Sequence, residues 1–501
     1  MDLAIKIGML IVFFAVMIGT GLYCRKHATN VDGFVLGGRN VGPWLTAFAY
    51  GTSYFSAVVF VGYAGQFGWK YGIAATWAGI GNALIGSLLA WWLLGKRTRV
   101  MTQHLGSATM PQFFESRFSS SGLKLAASVV IFIFLIPYTA SLYNGLSRLF
   151  GMAFNIDYSV CVIVMAILTG VYVIAGGYMA TAINDFIQGI VMIVGIIAVV
   201  AAVLKTNGGL SEAIAALGQV TDSSASAEAG AFNSLLGPDP VNLAGVVLLT
   251  SLGTWGLPQM VQKFYAIKNE KAIGKGMVIS TVFALIIAGG CYFLGGFGRL
   301  YSDRIDIAAN GYDSIIPTML SDLSPLLIAV VVILVLSASM STLSSLVLTS
   351  SSTLTLDFIK GRVVKDMSEK KQLLIMRALI AVFIAISVVL AILQYKSNVT
   401  FIAQLMGISW GALAGAFLAP FLYGLYWKRA TAASIWVNFG FSTIVMLLNI
   451  VAKPIFPQML QSPINAGAFC MLAGLVIVPV VSAFTKPPHK EHIDQVFSCY
   501  Q

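Results

Sequence analysis

The sequence predicts an all-α integral membrane protein with 13 transmembrane helices, ten of them forming a five-plus-five inverted-repeat core with two interrupted helices. Three observations carry this: composition, the spacing of apolar runs, and a pair of Gly/Pro breaks in corresponding places. Of 501 residues, 58% are hydrophobic and 10% charged, with a mean hydropathy of +0.87, against roughly 25% charged in an ordinary soluble domain. A hydrocarbon core about 30 Å thick takes roughly 20 apolar residues per helix. Such runs span 2–23, 44–68, 72–95, 123–153, 158–178, 181–204, 242–265, 274–298, 323–357, 374–394, 398–427, 431–452 and 463–485.

The first run, LAIKIGMLIVFFAVMIGTGLYC, has no basic stretch before it and no small-residue cleavage site, so it reads as a retained helix. Arg25 and Lys26 follow it, which sets the N-terminus outside. Basic residues near helix ends favour the cytoplasmic side, and with this orientation 22 Lys/Arg fall inside and 8 outside. That count places Lys263, Lys268, Lys271 and Lys275 together in one cytoplasmic segment, and the C-terminus in the cytoplasm. The net charge of +11 is thereby explained by sidedness in a plasma (inner) membrane and gives no support to nucleic-acid binding.

Cys24, Cys161, Cys291, Cys470 and Cys499 are scattered, with no CxxC pair and no neighbouring His, which indicates neither a metal centre nor a disulfide framework. HExxH, GxSxG and Walker-type sequences are absent, so an enzyme is not expected. No kinase or receiver-type extension follows Gln501, and no obligatory protein partner is evident. The longest loop, 205–241, carries a short amphipathic stretch and the Ser/Ala-rich TDSSASAEAGAF, which reads as surface cover.

The breaks lie at AYGTSYFSAVVF (49–60) and TSLGTWGLPQMV (250–261), five helices apart. Gly lowers the cost of unwinding and Pro removes a donor. One such segment alone is most simply a close helix contact; two in matching places fit the paired interrupted helices of inverted-repeat transporters. The chain then divides into a leading helix and loop (1–43), a first repeat (44–204), an external loop (205–241), a second repeat (242–430), and two trailing helices with a cytoplasmic tail (431–501).

Inside the ninth run, SASMSTLSS (337–345) places six hydroxyls in nine residues. On a helix, Ala338, Ser341, Thr342 and Ser345 share a face and Ser344 flanks it. Each hydroxyl alone could simply bond its own backbone. Together with carbonyls freed at the first break, the stripe forms an oxygen set suited to a hard cation. Asp185 reads as the one strongly placed carboxylate in the spans, either a first-turn acid favoured by the helix dipole, an ion ligand or a proton relay.

DGFVLGGRNVGPWLTAFAYGTSYFSA (32–57), MPQFFESRF (110–118), GGYMATAINDFIQ (176–188), SASMSTLSSLVLTSSSTLTLDF (337–358) and AGAFLAPFLYGLYWKRAT (414–431) together resemble the sodium/solute symporter family. That family includes proline permeases, pantothenate and monocarboxylate carriers and sodium/galactose transporters. The resemblance implies thirteen helices, an outside N-terminus and sodium-driven alternating access. It also implies a sodium site from the carbonyls of Thr52, Phe55 and Ala338 with the hydroxyls of Ser341 and Thr342. A second sodium, bound in some members, would use Asp185, Ser341, Ser344 and Ser345. Proline permeases have an Asp after the Ser of the broken helix, where this chain has Tyr54, which counts against a proline substrate.

Solute is expected between the two breaks, with contributions from the fourth and eleventh spans. The candidate lining is Tyr54, Ser56, Phe60, Tyr138, Thr254, Trp255, Pro258 and Gln259, although each aromatic has an ordinary packing alternative. Apart from Asp185, these central segments read as uncharged, so the partner is a small neutral or zwitterionic solute, or a carboxylate paired with sodium or a half-helix N-terminus. The functional reading is sodium-coupled import of an amino acid, pantothenate or monocarboxylate type of solute. The alternatives are proton coupling on the same fold and a non-transporting sensor or channel.

Overall fold

Backbone polar groups find no water in a bilayer, which leaves helices as the economical way to satisfy them locally. The computed structural model describes residues 2–154, 157–222, 226–364, 366–397 and 402–500, and among these the regular structure is helical, with isolated bridges only. Among the described residues, length and composition give ten membrane-capable helices, or eleven if one bent pair counts as a span. The sequence reading has thirteen. The difference lies mainly in two long stretches, Val58–His104 with 47 residues and Tyr158–Thr206 with 49. At 1.5 Å per residue each would reach about 70 Å if straight, more than twice the hydrocarbon thickness. Each also holds a left-handed glycine, Gly72 at φ 61° and Gly177 at φ 56°, close to the expected boundaries at 68–72 and 178–181. The first four residues of the expected 398–427 run lie outside the described residues.

Both expected breaks are present. Pro43–Tyr54 stops at Phe55, which is extended (φ −106°, ψ 95°), and the chain resumes through Val58–Tyr63 and Ala64–Tyr71. Ser56 starts the second half: its Oγ accepts from the Val58 N–H, and its carbonyl accepts from Val59 and Phe60. The second break separates Pro240–Leu252 and the tight turn Gly253–Trp255 from Pro258–Ala266, with a 41° bend. Pro258 sits in the first turn of its half-helix, where a missing N–H costs nothing. Gly256 is obligatory by space: a Cβ there would come within 2.6 Å of the Leu418 nitrogen.

Pro325–Thr353, here called the hydroxyl helix, is buried continuously from Val331 to Thr353. It packs against Tyr158–Thr206 and Ser121–Phe154, while Glu270–Gly295 covers Pro43–Tyr54. Small residues set how closely these elements approach. A Cβ on Gly68 would stand 2.0 Å from the carbonyl of Gly295, so two backbones are in contact there. Gly68→Val should therefore destabilise the fold by about 3 kcal/mol or more through overpacking, whereas Gly289→Ala, with open space for its methyl, should leave the melting temperature near wild type. Thermal unfolding of the detergent-purified variants checks both.

Candidate functional site

The last four carbonyls of a helix lack intrahelical partners, and at the first break these ends lie inside the protein. Thr52 is fully buried, and its carbonyl accepts from the hydroxyls of Ser341 and Thr342, each at 3.1 Å. The same two hydroxyls lie 3.2 and 3.1 Å from the carbonyl of Ala338. Two backbone and two side-chain oxygens are thus gathered at the junction of the broken helix and the hydroxyl helix. Phe55, one residue past the helix end, turns its carbonyl away from the helical direction.

One turn further along, Ser345 Oγ is 2.8 Å from Ser53 Oγ. Ser344 instead bonds its own helix, donating to the carbonyl of Ser341 at 2.8 Å. Asp185 is fully buried and is met by a group placed elsewhere in the sequence reading: Lys263 Nζ, 3.9 Å from Asp185 Oδ2. The ammonium donates to Ser345 Oγ at 3.0 Å and lies 5.2 Å from the centre of the Tyr178 ring. Lys263 is therefore not a cytoplasmic loop residue but a buried charge on Pro258–Ala266, 2% exposed. The expectation that Asp185 is the sole charge in the central segments is corrected on a second count too. Asp357, also fully buried, accepts from Thr109 Oγ1 at 2.7 Å and Gln112 Nε2 at 2.9 Å.

The candidate solute residues divide into two groups. Tyr54, Thr254 and Trp255 spend their polar atoms on structure. Tyr54 donates to the Thr250 carbonyl, Thr254 to those of Gly86 (3.0 Å) and Ser251 (3.1 Å), and Trp255 Nε1 to Ile85 (3.0 Å). The Asn82–Leu89 segment is wound wide, and the carbonyls of Ile85 and Gly86 within it serve as acceptors for the second break. The other group faces the interior. Phe55, Ser56 and Phe60 line a small void with Ala338, about 10 Å³ in volume, and the Tyr138 hydroxyl lies against Ser56 and Trp410. Trp410, on Ile402–Tyr426, stands 6.0 Å ring to ring from both Tyr54 and Tyr138. Pro258 opens its half-helix, and Gln259 beside it is fully buried with neither amide atom hydrogen-bonded.

A family model described as Sodium:solute symporter family matches residues 34–436. The chain belongs to the sodium:solute symporter family. Sodium/proline symporters of Staphylococcus aureus strains JH9 and JH1 are each 29% identical to it over 508 aligned positions, covering 96% of this chain and 93% of the relative. Among solved structures, a Na+-coupled sialic acid symporter in a substrate-bound, outward-open state aligns with a TM-score of 0.76 at 17% identity, covering 97% of this chain and 99% of that one. The nucleobase-cation-symport-1 family transporter Mhp1 aligns at 0.53 and 14% identity, covering 93% and 97%. These likenesses speak for the fold. Family membership makes the chain a multi-pass plasma-membrane transporter rather than an enzyme, with sodium as its coupling ion.

The two expected ion sites fare differently as arrangements of atoms. Thr52, Ala338, Ser341 and Thr342 converge as oxygen donors without any basic group among them. Around Asp185, the neighbouring cationic group is Lys263, and of the three serines Ser345 bonds to it while Ser344 bonds its own helix. Sequence reasoning missed Lys263 because it lies only five residues before Lys268. The available signal was the apolar stretch FYAI between them, nearly a full turn of helix still inside the protein.

Gln259 offers a discriminating variant. A buried amide without partners costs about 1–3 kcal/mol, so Gln259→Leu, similar in volume, should melt at the wild-type temperature or above it. If the amide serves the solute, the same variant should raise the half-saturating solute concentration about tenfold or more; paired melting and uptake measurements decide.

Proposed function

We propose that this symporter imports a small organic solute, of the amino acid, pantothenate or monocarboxylate type, by alternating access, with sodium held by Thr52, Phe55, Ala338, Ser341 and Thr342. One observation carries the reading: the end of the first broken helix meets paired hydroxyls of the hydroxyl helix, so four oxygens converge on one point. A cation there would bridge the two helices, hold the first break in register and complete the adjacent pocket around Ser56, Phe60 and Tyr138. The void at Ser56 and Phe60 has room for at most about one water, so solute entry requires the broken halves to move, as alternating access demands. A sodium ion entering down 100 mV contributes about 2.3 kcal/mol, which sets the accumulation it can drive.

The proposed solute lining is neutral, Ser56, Phe60, Tyr138 and Gln259, with Tyr54, Thr254, Trp255 and Pro258 shaping it from behind. Tyr54 stands where proline permeases of this family have an acid, and its hydroxyl is committed to Thr250, which favours a solute other than proline. The two breaks support the division into inverted repeats at 44–204 and 242–430. For sidedness, an outside N-terminus and cytoplasmic C-terminus are supported by the C-terminal segment: the Tyr500 hydroxyl donates to the Arg97 carbonyl at 2.9 Å, joining the tail to a basic helix end.

Uptake into proteoliposomes of proline, pantothenate, pyruvate, acetate, galactose and sialic acid, under a sodium gradient and then a proton gradient, tests the reading. One solute should accumulate with sodium alone, and the Ser341→Ala/Thr342→Ala pair should raise the half-activating sodium concentration at least tenfold, since a hydrogen bond or dipole serving a charge is worth about 1.5–3 kcal/mol. Uptake driven by protons alone, or indifferent to the two hydroxyls, would contradict it.

A further inference from the structure

A buried ammonium inside a membrane protein is expensive unless it is paired, and such residues face functional sites by default. Lys263 is 2% exposed and Asp185 0%. Among the described residues no other cationic side chain comes within ion-pair distance of Asp185, and neither carboxylate oxygen receives a hydrogen bond. The ammonium also holds Ser345, a residue that the second sodium would require.

We propose that Lys263 is the built-in cation of this second site: it takes the place of the second sodium, and the chain binds a single exchangeable sodium at Thr52, Ser341 and Thr342. The inference rests on the sodium reading above and specifies its stoichiometry. Charge counting carries it. Asp185 and Lys263 together are neutral whichever of them holds the proton, so no net negative charge remains for another cation. A sodium placed beside them would meet the Lys263 ammonium as a like charge with no free carboxylate to offset it, whereas no basic group stands among the oxygens at Thr52. The oxygens are also spoken for: Ser345 accepts from Lys263, while Ser344 is turned to the carbonyl of Ser341. The tethered cation performs the mechanical part of an ion's task. It fastens Pro258–Ala266 of the second broken helix to Asp185 on Tyr158–Thr206 and to the hydroxyl helix, yet it cannot leave with the cargo.

The test is equilibrium binding of radioactive sodium to the purified full-length chain, counted per protein. Wild type should bind one sodium, and Asp185→Asn should still bind one, with half-saturation changed less than about threefold. Lys263→Met should bind two, because the carboxylate is freed, and Lys263→Met/Asp185→Asn should return to one. Two sodium ions on wild type, or the loss of one in Asp185→Asn, would overturn the proposal, as would a count of one in a monodisperse Lys263→Met protein. If Lys263→Met does not fold, the wild-type count and Asp185→Asn still decide. A wild-type count of zero overturns the sodium reading itself, whereas a count of two overturns only the tethered cation.

Discussion

A carbonyl released by a helix break in a water-free interior needs a donor or a cation, and the architecture around Thr52 follows from that need. The hydroxyl helix answers it with Ser341 and Thr342, each within hydrogen-bond distance of both Thr52 and Ala338. Hydroxyls suit the task because they can donate to a carbonyl or, by rotating, present lone pairs. The same oxygens can therefore close the break without an ion and coordinate one when it is present. A carboxylate could accept but not donate, and an apolar residue could do neither. This accounts for a stripe of uncharged polar residues on a continuously buried stretch of the chain.

Both broken helices are tied to this one helix. The first reaches it through Thr52 and Ser53, and the second through Lys263. Ser345 is where the ties meet, sharing its hydroxyl with Ser53 at 2.8 Å and with the ammonium at 3.0 Å. A change at the first break thus has a direct route of contact to the second. The wide Asn82–Leu89 turns supply another, since Gly86 accepts from both Tyr50 on the first broken helix and Thr254 at the second break.

The legible parts of the sequence were those fixed by local physics. Hydropathy located the spans, Gly and Pro located both breaks, and the 3.6-residue period put Ser341 and Thr342 on one face. Span boundaries were legible as composition but run together in the structure at Gly72 and Gly177, where a positive-φ glycine kinks the chain between two helical stretches. Hydrogen-bond commitments were not legible, because a Thr or Trp near a break looks the same whether it faces solute or a neighbouring helix; Thr254 and Trp255 proved to face the Asn82–Leu89 carbonyls. Lys263 was lost for a related reason: its partner, Asp185, lies 78 positions earlier in the chain, and only the fold brings the two together.

That pairing also bears on how a solute would be recognised. With Lys263 engaged by Asp185, the void beside Ser56 and Phe60 is lined, among the described residues, by no basic side chain for a solute carboxylate. Two positive elements remain: the dipole of the half-helix that begins at Ser56, whose first-turn N–H groups are themselves bonded to Ser56, and the sodium ion proposed for the neighbouring Thr52 junction. Both belong to the first break, and both depend on its being held open in register. For a solute bearing a carboxylate, binding without sodium would leave its charge half-compensated, so an obligatory link between ion and solute follows from the scarcity of charge in the pocket.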